Sequence, residues 1–460
     1  MLRVTGNQII DKSGQKIRLQ GTCLGGWMNM EGFITGYPGT EEHMRESLKA
    51  ELGQEKVEHY FQRFLESFFT DADAKYLKSL GFNVLRIPIN YRHFEDDMAP
   101  FELQESGFDN LHRVIEICAA NEIYTIIDLH ALPGYQNQHW HSDNPTHVAF
   151  LWKHKHFQDR TVYLWEELAR CYKDNEWVAG YNLINEPADP TTVALIGLYD
   201  RLIDAIREID PDHIIFLDGN RFSRDWRGFP APWDNTVYAF HYYPPPGQLA
   251  GGIYPGEMEG QFFNKETIRK EMFCRASYML EHDVPIWIGE FSPVYPTLDT
   301  PVDSPRYQVL RDQLDIVNEL NAHWTTWTYK DVGLQGIVYT SPDSAYVQQV
   351  KPALDKIQYL GADVWSGTEA NIDHIIDPLN QLLSEVTPDY DPYPFGAGTR
   401  IRRLLRGMLF PDAITPSYAK LFKALDKEQL IALADSFLFE NCHPHENLAR
   451  ILKLFASSEL

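Results

Sequence analysis

The run Val178-Ala179-Gly180-Tyr181-Asn182-Leu183-Ile184-Asn185-Glu186-Pro187 is apolar and strand-like, and it ends in a glutamate. An ionisable side chain just past a buried strand has to be desolvated, which is costly unless the group is put to use. Further along the chain, Pro285-Ile286-Trp287-Ile288-Gly289-Glu290-Phe291 repeats the arrangement. If both strands belong to one parallel barrel, both glutamates emerge at its C-terminal rim, where such barrels keep their chemistry. Two carboxyls facing each other across a cleft are suited to breaking a glycosidic bond.

Outward from these two runs, strand-like and helix-like segments alternate. A small hairpin, Gln8-Ile9-Ile10 and Lys16-Ile17-Arg18-Leu19, turns at Asp11-Lys12-Ser13-Gly14. Strands are then expected at 19–24, 83–87, 123–128, 178–184, 213–217, 236–240, 284–288 and 324–327. Helices are expected at 71–80, 108–120, 160–173, 192–209, 265–282, 305–321 and 346–359, the first capped by Thr70 or Asp71. Eight strands with intervening helices spell an α/β chain folded as a (β/α)8 TIM barrel. The fifth repeat lacks a clear helix between 217 and 237.

Two segments fall outside the ideal barrel. Residues 28–69 form a long insertion after strand 1, with a polar helical stretch from Glu41 to Phe69 placed above the rim. Residues 361–460 follow the last repeat; Pro388-Asp389-Tyr390-Asp391-Pro392-Tyr393-Pro394 interrupts them and two helical stretches come after. The division expected is therefore a catalytic barrel over 1–360 and a mainly helical C-terminal extension over 361–460. That extension packs on the barrel or lies at a subunit interface, which leaves a homo-oligomer open.

At 460 residues, 44% hydrophobic and 13% aromatic, the chain can bury a large core. Its 41 basic and 65 acidic side chains leave a formal charge of −24, which argues against nucleic acid or an anionic membrane as a partner. A neutral substrate is compatible with that charge. No apolar run reaches membrane-spanning length, and Met1-Leu2-Arg3-Val4-Thr5-Gly6 does not open like a secretory leader. Five scattered cysteines without a CxxC pattern suit reduced thiols. A cytoplasmic enzyme is the expectation.

The ordered motifs resemble glycoside hydrolase family 5, and more broadly the barrel glycosidases with glutamates ending strands four and seven. The resemblance runs from about residue 7 to residue 360. It implies a retaining β-glycosidase in which Asn185-Glu186-Pro187 carries the acid/base Glu186 and Ile288-Gly289-Glu290-Phe291 the nucleophile Glu290. Arg86 in Asn83-Val84-Leu85-Arg86-Ile87-Pro88 matches the arginine that steadies the nucleophile. His130 in Asp128-Leu129-His130 matches the strand-three histidine of the substrate site. His241 and Tyr243 match the strand-six pair, and Trp327 in Trp324-Thr325-Thr326-Trp327 matches a tryptophan platform. The stretch Asp128 to Asn137 is similar to the loop of the exo-β-glucanase and glucosidase-like branches, where the terminal Gln-Asn shapes a pocket; Asn144 and His139-Trp140-His141 depart from that pattern.

Physical chemistry supplies reasons for each role. Glu290 has to be ionised to attack the anomeric carbon, so it needs cationic or donor neighbours such as Arg86 and the Tyr243 hydroxyl. Glu186 has to start protonated, which partial burial and nearby negative charge favour. Asn185 can bond the sugar 2-hydroxyl, a contact that strengthens as the oxocarbenium-like state develops. Trp327 offers a flat apolar face to the sugar ring.

Six histidines fall close together, His130, His139, His141, His147, His154 and His156. No thiolate or carboxylate completes a metal motif among them, so hydrogen bonding is expected and neither metal nor cofactor. The substrate expected is a small oligosaccharide or glycoside, cut from its end, with a β-glucoside favoured. An endo-β-1,4-glucanase or a β-mannosidase or mannanase of the same family is the alternative. A non-hydrolytic carbohydrate-binding barrel or a transglycosylase is the reading from a different class.

Overall fold

The computed structural model describes residues 1–249, 252–258, 260–362 and 370–457. Its centre is a closed barrel of eight parallel strands: β1 (Gln20–Cys23), β2 (Val84–Asn90), β3 (Tyr124–Ala131), β4 (Val178–Asn182), β5 (Ile214–Asp218), β6 (Thr236–His241), β7 (Ile286–Glu290) and β8 (His323–Thr326). Neighbours in the barrel are neighbours in sequence, and β8 closes on β1 through Trp324 opposite Gln20. Apart from Gln20 and Tyr124 at their starts, the strands are buried along their whole length. This is the expected consequence of near-continuous apolar runs covered on both faces.

Inside the barrel Val84, Ile126, Ala179, Phe216, Val237 and Trp287 form one cluster. Leu2, Ile9 and Leu19 join it, so the N-terminal hairpin plugs the lower end and leaves the C-terminal rim for the site. That hairpin gains a third strand, Arg3–Thr5, on its free edge.

The expected helices form at Asp71–Ser79, Glu105–Ala120, Lys155–Tyr172, Val193–Ile209, Pro305–Glu319 and Ala345–Leu360. Thr70 begins the first of these, its hydroxyl and its N–H both bonded to Asp73 at 2.7 and 2.8 Å. The helix expected over 265–282 is split into Lys265–Arg275 and Ser277–His282. In the fifth repeat only the short turn Asn220–Ser223 follows β5; Arg221, Phe222 and Ser223 there take left-handed backbone angles. A loop of that shape aims Phe222 and Arg224 at the rim instead of building the outer wall.

The 28–69 insertion holds helices Gly32–Thr35, Glu41–Leu52 and Gln54–Phe68, the last two broken at Gly53 with φ +78°. The region after 360 is richer in helix than the sequence suggests: Ala370–Val386 precedes the proline-rich stretch, and Ala397–Leu404, Phe410–Lys420, Lys427–Asp435 and Glu446–Ala456 follow. A strand, Cys442–Pro444, pairs antiparallel with Val338–Thr340. Residues 363–369 and 458–460 of the expected extension lie outside the described residues. Buried Lys330 joins three parts of the chain: its ammonium lies 2.7 Å from Asp73 and bonds the carbonyls of Phe68 (2.8 Å) and Phe437 (2.7 Å). No helix among the described residues is long and apolar enough to cross a membrane.

Candidate active site

The ends of the eight strands converge on a cavity of about 480 Å³, in the range of small-molecule sites. Glu290 is the last residue of β7 and is buried. Arg86, from the middle of β2, places Nη1 2.5 Å from Glu290 Oε1, and the Tyr243 hydroxyl donates to Oε2 at 2.9 Å. Burial alone would raise the Glu290 carboxyl. The charges of His241, Arg86 and His130 outweigh it and bring the group down to about 2. An ionised carboxylate is what a nucleophile requires.

Arg86 is itself completely buried and fixed on every side. It bonds Asn182 through Nε and Nη2 (3.1 and 3.0 Å) and Asn185 at 2.7 Å, and it pairs with Asp128 at 3.1 Å. Burying a guanidinium is tolerable only with this degree of pairing.

Glu186 stands past the end of β4 with φ +44°, a strained position for a glutamate. Four hydrogen bonds hold that turn. The Glu186 N–H reaches Asp218 at 3.0 Å, the Asn137 amide bonds the Glu186 carbonyl and the Gln136 amide the Asn185 carbonyl, both at 3.0 Å. The Ala188 N–H closes on the Gln136 carbonyl, also at 3.0 Å. The carboxylate meets His241 Nδ1 at 2.8 Å and His141 Nε2 at 3.3 Å.

His241 lies between the two glutamates, with Nδ1 3.6 Å from Glu290 and Nε2 3.5 Å from Asp218. It fits there because residue 289 is glycine: a Cβ at that position would fall 2.7 Å from the imidazole. One atom each of Glu186, His241 and Glu290 lies within 4.8 Å of the others. Such a trio could hold a cation, but Arg86 and His241 already occupy the inner oxygens of the two carboxylates. Facing oxygens of the two glutamates that lie within 4.8 Å of each other suit the close pairing of retaining enzymes better than the wider inverting arrangement.

Opposite, Trp327 lies flat against His130, their rings 5.2 Å apart and 13° from parallel. Gly25 makes room for the indole, since a Cβ there would sit 2.8 Å from it. His130 Nδ1 is 2.8 Å from Asp128. Burial would lower this imidazole, yet Asp128, Glu31 and Glu290 lift it to about 10, so it is cationic at neutral pH.

Of the residues singled out in the sequence, Glu186, Glu290, His130, Tyr243 and Trp327 line the cavity. Arg86, Asn137, Asn185 and His241 lie behind them, buried, and grip the lining residues. Several lining groups escaped sequence reasoning. Glu31, from the rim insertion, faces the cavity 3.5 Å from His130; its carboxyl is pushed up to about 7, chiefly by burial. Asp218, buried behind the lining where it accepts from the Glu186 N–H, ends β5 as Glu290 ends β7, a signal of the same kind left unread. Phe395 and Arg403 reach in from beyond the proline-rich stretch, and nothing in their local sequence announces it.

Comparisons with known proteins agree with this geometry. A sequence model described as cellulase (glycosyl hydrolase family 5) matches residues 47–333. The chain is 44% identical to a β-xylosidase of Phanerodontia chrysosporium, covering 98% of this chain and 97% of that one. It is 24% identical to endoglucanase C of Acetivibrio thermocellus over 60% of this chain and 88% of that protein. A solved structure described as a glycoside hydrolase shares the fold with a TM-score of 0.52 at 22% identity, over 69% of this chain and 90% of that one.

Proposed function

The chain belongs to glycoside hydrolase family 5, and from that premise we propose that it cleaves one terminal sugar at a time from a β-glycoside. It is a retaining β-glycosidase. The observation that carries the assignment of roles is the facing pair at the ends of β4 and β7, with carboxylate oxygens of Glu186 and Glu290 within 4.8 Å.

Glu290, ionised beside Arg86, attacks the anomeric carbon from below. Glu186 gives its proton to the departing oxygen, so the aglycone leaves neutral and an α-linked glycosyl ester remains. Esterification removes the Glu290 charge, and Glu186, now a carboxylate, draws a proton from water. That water attacks the same carbon and returns the β configuration. The Tyr243 hydroxyl, which donates to Glu290 Oε2 at 2.9 Å, steadies the carboxylate for the attack. Trp327 and cationic His130 make a rigid floor for the sugar.

The walls supplied by Glu31, Phe395 and Arg403 support a pocket that admits a chain end, in preference to an open groove. The 44% identity to a β-xylosidase supports a β-xyloside as substrate. The Asp128 to Asn137 loop, similar to that of exo-β-glucanases, supports a β-glucoside as the second reading.

A screen of aryl β-xyloside, β-glucoside, β-mannoside, β-galactoside and β-cellobioside tests the substrate. Turnover of a monosaccharide glycoside is expected, and activity confined to cellobioside would overturn the pocket reading. Glu186→Gln should lower kcat on substrates with poor leaving groups by about 10²–10⁴. In azide, Glu290→Gly should form an α-glycosyl azide and Glu186→Gly a β-glycosyl azide. The reverse outcome would exchange the two roles.

A further inference from the structure

Three arginines meet at the mouth of the cavity. Arg224 comes from the loop after β5, Arg275 from the helix before β7, and Arg403 from the C-terminal region; all three line the same space as Glu186 and Glu290. Among the described residues none of them forms an ion pair with a carboxylate, although the chain carries 65 acidic side chains. Arg275 spends one N–H on the His241 carbonyl at 2.9 Å and lies over the Tyr242 ring. Arg403 donates to His139 Nε2 at 2.9 Å and lies 3.6 Å over the Phe395 ring. Of the wall's carboxylates, Glu271, which faces Arg275, is engaged by the Tyr242 hydroxyl at 2.7 Å and the Gln261 amide at 2.9 Å, and Glu186, which faces Arg403, by His241 at 2.8 Å.

The cluster is held together at a cost. Burial first, and the charge of Arg224 second, bring both Arg275 and Arg403 down to about 10. Burial and the neighbouring His141 and Arg403 keep His139 well below its ordinary range, so that it stays neutral and does not add a fourth charge. Unpaired guanidinium groups in a partly dry site favour an anion, which they can hold by bidentate, charge-assisted hydrogen bonds.

The position says which end of the substrate they meet. The leaving oxygen must touch Glu186, so the aglycone extends on that side. Arg403 lies on that side too, joined to Glu186 through His139 and His141, whose Nδ1 atoms are 3.1 Å apart. Phe222 and Phe395, stacked 5.1 Å apart at 25°, form an apolar step beside the arginines. Phe222, Arg224, Arg275 and Phe395 also line a second cleft of about 750 Å³ that continues outward.

We propose that this mouth is an aglycone subsite for β-glycosides whose leaving group carries a carboxylate, gripped by Arg224, Arg275 and Arg403 over the Phe222–Phe395 step. The proposal rests on the glycosidase reading of the cavity and adds the chemistry of the group that departs.

The test pairs 4-(carboxymethyl)phenyl β-xyloside with its uncharged 4-(carbamoylmethyl)phenyl counterpart, whose phenols leave almost equally well. Competition between the two in one reaction gives the ratio of kcat/KM, with the matching β-glucosides run alongside. The full-length protein should prefer the carboxylate by about tenfold, the scale of one charge-assisted hydrogen bond. That ratio should fall toward one in Arg224→Gln and in Arg403→Gln. Arg224 is exposed on a loop, so its variant keeps the question open if Arg403→Gln does not fold. A ratio of one or below in the unaltered protein, or a ratio that neither variant moves, overturns the subsite.

Direct calorimetric binding of 4-hydroxyphenylacetate against 4-hydroxyphenylacetamide gives the same comparison without any sugar. A wrong sugar assignment would silence every glycoside while leaving this preference in place. Inorganic sulfate is the remaining arm: if it binds as tightly as 4-hydroxyphenylacetate, the arginines form a general anion site and the aglycone reading falls.

Discussion

At the scale of single residues, the site is governed by how Arg86 is spent. One buried guanidinium serves Glu290, Asp128, Asn182 and Asn185 together, so nucleophile, floor and acid/base turn share one anchor. Glu290 titrates near 2 in the fold against an ordinary 4.5. Its ionisation therefore contributes stability that is present above about 4.5 and is lost as the pH falls toward 2. Removing the cation shrinks that window. In Arg86→Gln the acid limb of kcat/KM should move up by at least about one pH unit, since an adjacent opposite charge lowers a carboxyl by 1–3 units. Profiles carried from about pH 6 down to about pH 2 will show it. An unmoved limb, with activity merely lower, would mean that Arg86 orients Glu290 without setting its charge.

At the scale of elements, Lys330 ties the first barrel helix, the rim insertion and the C-terminal region at one buried point. Replacing it by Met leaves Asp73 buried with only the Tyr329 hydroxyl and Thr70 for company, and should cost about 3–5 kcal/mol in urea unfolding. A loss under 1 kcal/mol would show that the pair is offset by its own desolvation. The same elements mark how far the sequence could be read. Barrel strands such as Ile214–Asp218 announce themselves by apolar runs, and the glutamates by standing at the end of one such run and just past the end of another. The missing fifth helix was visible as well, but not its purpose, because the left-handed turn at Arg221 to Ser223 carries no glycine to signal it. Arg403 was illegible for another reason. Its partner His139 is 264 positions away, and a contact of that kind leaves no periodicity in either neighbourhood.

At the scale of the whole molecule, barrel, insertion and C-terminal helices share one hydrophobic core. Tyr60 packs on Phe422, and Phe64 and Phe68 on Phe437, at ring separations of 5.9, 5.0 and 5.6 Å. A chain ended at residue 362 exposes those aromatic faces, so it should collect in the insoluble fraction. What remains in solution should melt without a cooperative transition. A soluble fragment with a sharp melt would contradict the shared core. The wall contributed by Phe395 and Arg403 has a consequence in time as well as in space. Barrel strand β8 is finished at Thr326, yet the last wall of the pocket is some eighty residues further on. At synthesis rates of about 5–20 residues per second, the catalytic pair waits roughly 4–16 s for it. Because the barrel shares its core with the segment that carries this wall, the two glutamates are drawn into register only as that segment folds onto them, so catalysis and selectivity are acquired in one step.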